Sequence, residues 1–206
     1  MIDKSKLKVG ITGGIGSGKT TVAKIFSILG IPIYYADERA KWLMAHHEPL
    51  KAEISNAFGK DSYTENGDLN RSYLAAEVFG NPEKTKLINK LVHPAVKEDF
   101  ENWMKQQNAP YVLKEAALLF ETGSAKELDY IVTVSSPLKI RFNRILQRDP
   151  HRSEAQINAI IDQQLPDEEK IKQSDFVIKN IDNKLLIPQV LSIHNKLITA
   201  SQNKKA

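Results

Sequence analysis

The run Gly13-Gly-Ile-Gly-Ser-Gly-Lys19-Thr20-Thr21 follows directly on the apolar residues 7–11. It fills every fixed position of the pattern G-x-x-x-x-G-K-[ST], and it lies between an apolar run and a helical one, as a phosphate loop requires. The glycines let the backbone wrap tightly enough for successive N–H groups to point inward, and a helix starting near Lys19 adds the positive end of its dipole. Such a loop is a site for a nucleoside triphosphate. Lys19 then reaches the β- and γ-phosphates, and the Thr20 hydroxyl holds Mg²⁺. A glycine-rich turn that binds nothing would not need all these positions filled at once.

The surrounding pattern predicts an α/β fold. Residues 7–12 read as a buried strand, and residues 20–29 carry Val22, Ala23, Ile25, Phe26, Ile28 and Leu29 at helical spacing until Gly30 stops them. Residues 31–36 are a second β-rich run ending at Asp37. Residues 110–120 return to strand character, interrupted by Lys114 and Glu115, and residues 128–134 and 176–178 supply the fourth and fifth strands. Strands alternating with helices predict a parallel sheet wrapped on both faces. Residues 38–107 read as helical, broken at Gly59, Asn66-Gly67, Gly80-Asn81-Pro82 and His93-Pro94. Asn81-Pro82 has the form of an N-cap with proline in the first helical position, and His93-Pro94 that of a helix stop. This insertion is expected to bind substrate.

Ser136-Pro137 opens a helix to about Arg148, Ser153 with Gln156 is a capping-box signature for the next, and the two make a hairpin around Asp149-Pro150. The polar tail of residues 201–206 is expected to fray. The whole, residues 1–206, reads as a single phosphate-loop domain. Residues 7–37, 108–136 and 165–200 form the nucleotide-binding core, residues 38–107 a substrate subdomain, and residues 137–164 a lid.

Ligands of open α/β sheets sit outside the carboxyl ends of the strands, which places Asp37 where chemistry occurs. Phosphoryl transfer to a hydroxyl needs a group that orients the oxygen and takes its proton, and Asp37 fits that task. The spacing supports a helix N-cap at Asp37 equally well. Arg141, Arg144 and Arg148 are three and four apart, so they project from one side of their helix, where guanidinium groups can clamp transferring phosphates. A solvated basic face is the alternative, and Arg148 beside Asp149 can simply complement the helix dipole. Glu115 is placed to hold Mg²⁺ through water. Pairing between Glu115 and Lys114 is not expected, because neighbours on a strand point to opposite faces.

The net charge of +4 is modest, and basic residues are interspersed with acids, which argues against a nucleic-acid surface and suits a small polyanionic substrate. With no cysteine in 206 residues, disulfides, thiolate metal sites and cysteine nucleophiles are excluded. Asp3, Lys4, Lys6 and Lys8 interrupt the start of the chain where a signal peptide would be apolar, and no segment approaches membrane-spanning length. A cytoplasmic protein, monomeric or a weak homo-oligomer, is expected.

Taken in order, these pieces resemble the dephospho-coenzyme A kinases. The resemblance runs from about residue 8 to residue 180 and rests on the phosphate loop, Ala36-Asp37, Leu91-Val-His-Pro-Ala-Val96 and Leu118-Leu-Phe-Glu121. Further matches are Arg144 to Arg148-Asp149, Gln164, and Ser174-Asp-Phe-Val-Ile-Lys-Asn180. It implies ATP-dependent phosphorylation of the ribose 3′-hydroxyl of dephospho-coenzyme A, with Asp37 as base and Mg²⁺ held by Thr20. It further implies ATP binding by Gly14, Ile15, Gly16, Ser17, Gly18, Lys19, Thr20 and Thr21. Arg144 and Arg148 belong to the lid, Asn180 lies near the adenine, and Arg71, His93 and Pro94 fall in the part that receives the acceptor. This chain departs from the family pattern at Asn70, Glu115, Ala117, Ile160 and Gln173. Another small-molecule phosphate-loop kinase is the alternative. A guanine-nucleotide switch is disfavoured, since neither Asn89-Lys90 nor Asn195-Lys196 is followed by aspartate at the needed place.

Overall fold

The structure, a computed structural model, describes residues 6–205; Asp3 and Lys4 of the N-terminal reading and Ala206 lie outside them. Strands β1 (Leu7–Thr12), β2 (Ile33–Tyr35), β3 (Tyr111–Glu115), β4 (Tyr130–Ser135) and β5 (Phe176–Lys179) pair in parallel in the order β2-β3-β1-β4-β5. The middle strand has neighbours on both edges and helices over both faces, so its inner residues are mostly apolar, and Val9 and Ile11 are fully buried. From β1 the chain goes to one side of the sheet, and from β3 it crosses to the other. Its connections therefore diverge at the carboxyl end of β1, where such sheets bind ligands.

Successive residues of β4 separate the two faces. Val132 and Val134 join the main core with α1 (Lys19–Ile28) and the last helix (Leu186–Lys205) through Val22, Phe26, Val190, Ile193 and Leu197. Fully burying a side chain such as Phe26 stabilises by about 1.5–3 kcal/mol. Thr133 points the other way and shares a 2.6 Å hydrogen bond with Ser174. That second face is covered by the chain after β4.

The chain divides into two compact units: one runs up to Tyr35 and resumes from Gln107, and the other is Ala36–Gln106. The latter holds α2 (Ala36–His46), α3 (Glu48–Phe58), α4 (Arg71–Val78) and α5 (Pro82–Lys105). Its core is Leu43, Leu50, Ile54, Phe58, Leu74 and the stripe Val92, Val96, Phe100 and Met104. Arg39 donates to the Asp99 carboxylate at 2.5 and 2.9 Å, tying α2 to α5. Tyr63 donates to the Met44 carbonyl at 2.8 Å, and burial, then repulsion from Glu48, pushes its hydroxyl up to about 12. Asn81 caps α5, as expected from Asn81-Pro82, and Asn70 caps α4.

After Ser135 come α6 (Leu138–Arg148), α7 (Glu154–Asp162), α8 (Asp167–Lys172) and, after β5, α9 (Leu186–Lys205). The capping box at Ser153 and Gln156 forms as the sequence indicates, with both reciprocal bonds present.

Three expectations fail for physical reasons. His93-Pro94 does not end a helix: α5 runs through it for 24 residues. Pro94 lacks the N–H that would bond the Lys90 carbonyl, a defect costing about 3 kcal/mol, but the buried stripe at four-residue spacing packs on both sides of it and offsets the loss. The apolar run of residues 110–120 is strand only to Glu115. Its remainder is a turn, in which Leu119 is fully buried and Thr122 and Gly123 donate back to Leu118 and Phe120. An apolar run does not by itself distinguish a strand from a buried turn. Residues 201–205 are helical rather than frayed, because Ser201 is buried and donates to the Ile198 carbonyl at 2.7 Å, and Lys204 pairs with Asp129 at 2.7 Å.

His194 on α9 shares a 2.7 Å hydrogen bond with the Tyr111 hydroxyl, and burial lowers the imidazole from its ordinary value of about 6.5. Below that pH the unfolded chain binds the proton more readily than the folded one, so stability is full above it and lost as pH falls toward the folded value. The thermal midpoint is expected to drop between pH 7 and pH 5 by more in the native sequence than in His194→Gln, which cannot take up the proton. Differential scanning calorimetry across that range checks this.

Candidate active site

The phosphate loop leaves β1 after Thr12 and enters α1 at Lys19. Gly16 and Gly18 have φ of 78° and 94°, a left-handed backbone that a side chain disfavours. Gly18 also lies so close to Asn180 that a Cβ there would come within 2.2 Å of its Nδ2. Gly18, with no side chain, is the N-cap of α1, and the N-terminus of a helix is suited to an anion. Lys19 Nζ donates to the Gly13 carbonyl at 2.9 Å and the Gly14 carbonyl at 3.4 Å, which places the ammonium over the loop. Thr20 and Thr21 follow it in the first turn of α1, both exposed.

Side chains from distant parts of the same unit hold the loop. Asn180, directly after β5, donates from Nδ2 to the Ser17 carbonyl at 2.8 Å. Arg144 of α6 donates to Ser136 Oγ at 3.4 Å and to the Asn180 carbonyl at 3.5 Å. Gln164, between α7 and α8, accepts the Ile15 N–H at 2.8 Å. The chain after Gln164 is anchored too: Glu121 accepts the Leu165 N–H at 2.7 Å and pairs at 2.8 Å with the fully buried Lys170. Lys170 donates in addition to the Ala117 carbonyl at 3.2 Å.

The three arginines do not act alike. Arg141 is buried and packs on the loop, Arg144 reaches Asn180, and Arg148 is largely exposed and donates to Asp149. The hydrogen bond from Arg148 lowers the Asp149 carboxyl below its usual range, against a smaller opposing effect of burial. The solvated-face reading therefore fits Arg148 and fails for Arg141. Burial raises the Asp167 carboxyl above its usual range, opposed by the attraction of Arg141, Lys170 and Lys19.

Asp37 lies in the unit Ala36–Gln106 and is exposed. Since α2 begins at Ala36, Asp37 sits inside the first turn rather than at the cap, which removes the capping alternative. Arg71 opens α4, and His93 and Pro94 lie exposed on α5. Glu115 closes β3 and is buried. The geometry thus brings together Gly14, Ile15, Gly16, Ser17, Gly18, Lys19, Arg144 and Asn180, and leaves Arg148 outside the group. The sequence reading missed Asp167, one of three acids in the first turn of α8, and gave Gln164 no role.

Among the described residues no group of three or more His, Cys, Asp or Glu side chains is placed to hold a metal. Mg²⁺ is commonly bound through substrate phosphates and few protein groups, and the exposed Thr20 hydroxyl is of the chemistry such a site uses.

The family model of dephospho-CoA kinase matches residues 7–185. The dephospho-CoA kinase of Bacteroides fragilis is 38% identical over 188 residues, 91% of each chain. That of Porphyromonas gingivalis is 36% identical over 197 residues, 96% of this chain and 97% of the other. A crystal structure from Thermus thermophilus superposes with a TM-score of 0.82 at 31% identity, covering 93% of this chain and 97% of that one. The five-stranded P-loop kinase fold expected from the sequence is the fold observed.

Gly18 and Asn180 are in contact, so their substitutions should not add. Gly18→Ala and Asn180→Ala are each expected to destabilise by about 1–3 kcal/mol, through strained backbone and a lost buried hydrogen bond. The double variant should lose less than the sum, which denaturant unfolding of the four proteins measures.

Proposed function

The chain belongs to the dephospho-CoA kinase family, and we propose that it transfers the γ-phosphoryl group of ATP to the ribose 3′-hydroxyl of dephospho-coenzyme A. The products are coenzyme A and ADP, and the reaction is the last step of coenzyme A biosynthesis. The observation that carries this reading is a complete phosphate loop, with Lys19 folded over it and its backbone held by Asn180, in a chain of this family.

Phosphoryl transfer asks little covalent chemistry of the protein; alignment and charge neutralisation do most of the work. The N–H groups of residues 14–20 and the Lys19 ammonium hold the polyphosphate. The Thr20 hydroxyl would hold Mg²⁺ arriving with the nucleotide, and the ion would supply further positive charge at the transferring group. Arg144, fixed by Ser136 and Asn180, presents a guanidinium that cannot lose its proton. Asn180 steadies the loop beneath the nucleotide, and Arg148, held by Asp149 outside the group here, joins the ATP contacts only as the lid closes.

Asp37 orients the acceptor hydroxyl and takes its proton. The helical unit receives the rest of the acceptor, with Arg71, His93 and Pro94 on its exposed surface. Residues 137–164 act as the lid, whose closure excludes water that would otherwise hydrolyse ATP. A cytoplasmic location and a monomeric or weakly associating chain belong to the same proposal.

The test is an acceptor panel with ATP and Mg²⁺, following ADP release. Dephospho-coenzyme A should be the preferred acceptor; faster turnover of a nucleoside monophosphate or another metabolite would favour a different small-molecule kinase. In the same assay Asp37→Asn is expected to keep ATP affinity and lose about 10²–10⁴ in turnover. Near-normal turnover would remove Asp37 from the mechanism.

A further inference from the structure

Three charged groups converge on Gly14. Lys19 Nζ donates to its carbonyl, a Cβ on Gly14 would lie 1.7 Å from Arg141 Nη1, and the same Cβ would lie 3.0 Å from Asp167 Oδ1. Gly14 has an ordinary φ, so the guanidinium, not the backbone, is what leaves no room for a side chain there. The arginine thus rests directly on the loop. It is also poorly satisfied: only 7% exposed, it pairs with Asp167 at 3.6 Å, beyond normal hydrogen-bond length, and its Nε is buried with no hydrogen-bond partner.

Leaving a buried guanidinium N–H unmade is costly, and a group of this kind is built for an acceptor stronger than a distant carboxylate. Position names that acceptor. The lysine of a phosphate loop reaches the β- and γ-phosphates, and its ammonium here lies at Gly13 and Gly14, so this side of the loop is the terminal-phosphate side. Arg141 shares it.

We propose that Arg141 is a phosphate-binding residue for the terminal phosphoryl group of the nucleotide, and that Asp167 is the stand-in anion which the phosphoryl oxygens displace. Gln164 stands in likewise one residue along the loop, since its oxygen occupies the Ile15 N–H. Asp167 suits a removable partner, because burial already disfavours its charge. A bidentate guanidinium–phosphate contact is among the stronger hydrogen-bonded pairs, and it would discriminate a triphosphate from a diphosphate.

The inference rests on the loop binding ATP but not on the identity of the acceptor, so its test omits the acceptor. Calorimetric titration of the full chain with Mg²⁺–ATP and with Mg²⁺–ADP compares the native sequence with Arg141→Gln, which keeps polar reach and loses the charge. The expected result is ATP affinity weakened about 10- to 100-fold with ADP affinity changed by less than about threefold. Equal effects on both nucleotides, or no effect on either, would overturn the assignment. If Arg141→Gln does not fold, Asp167→Asn carries the test. It should tighten ATP relative to ADP, roughly threefold or more, by removing the competing charge; an unchanged ratio counts against the proposal. Failure of dephospho-coenzyme A in the acceptor panel would leave these titrations unaffected, so the two readings fall separately.

Discussion

A loop that turns its N–H groups inward keeps little bonding within its own backbone, here the Ser17 N–H to the Gly14 carbonyl at 3.1 Å, and something else must hold it in that shape. Here the hydrogen bond from Asn180 to the Ser17 carbonyl joins residues 163 apart in sequence. It fastens the loop after β1 to the end of β5, at the far side of β4. Sheet order, the crossing of the chain after β3 and the path of α6 past Ser136 and Asn180 all serve that one attachment. Rigid support of this sort lets backbone dipoles act on a phosphate without first reorganising.

Charge is handled differently on the two faces of the sheet. The face toward α1 and α9 is apolar. The other face admits Lys170 with no exposure at all, and does so by giving it a carboxylate and a carbonyl. Removing one partner of such a pair costs about 3–5 kcal/mol, whereas replacing both by apolar groups can be neutral. The pair is therefore better understood as fixing position than as adding stability.

Much of this was legible in the sequence because the signals were local. The loop, the strand before it, the helix after it, and the caps at Asn81 and Ser153 each depend on residues within a few positions of one another. What local pattern could not supply was long-range compensation. Pro94 marks a helix end unless buried neighbours on both sides outweigh it, and residues 116–120 look like strand until the chain is seen to turn inward at Leu119. The arginines of α6 show the same limit at the site. Spacing placed them on one side of the helix, but only the position of Gly14 and Asp167 separates Arg141 from the exposed Arg148. Asp167 itself carried no signal, since an acid in the first turn of a helix is ordinary.

Glu121 serves two masters, the backbone of Leu165 and the ammonium of Lys170, and Gln164 is the residue immediately before the first of these. The segment bearing Gln164 is thus clamped one peptide away from the loop, while α7 extends from the clamp on its other side. Gln164 is one peptide from that anchor, so its hydrogen bond to the Ile15 N–H shares the stiffness with which Glu121 holds Leu165.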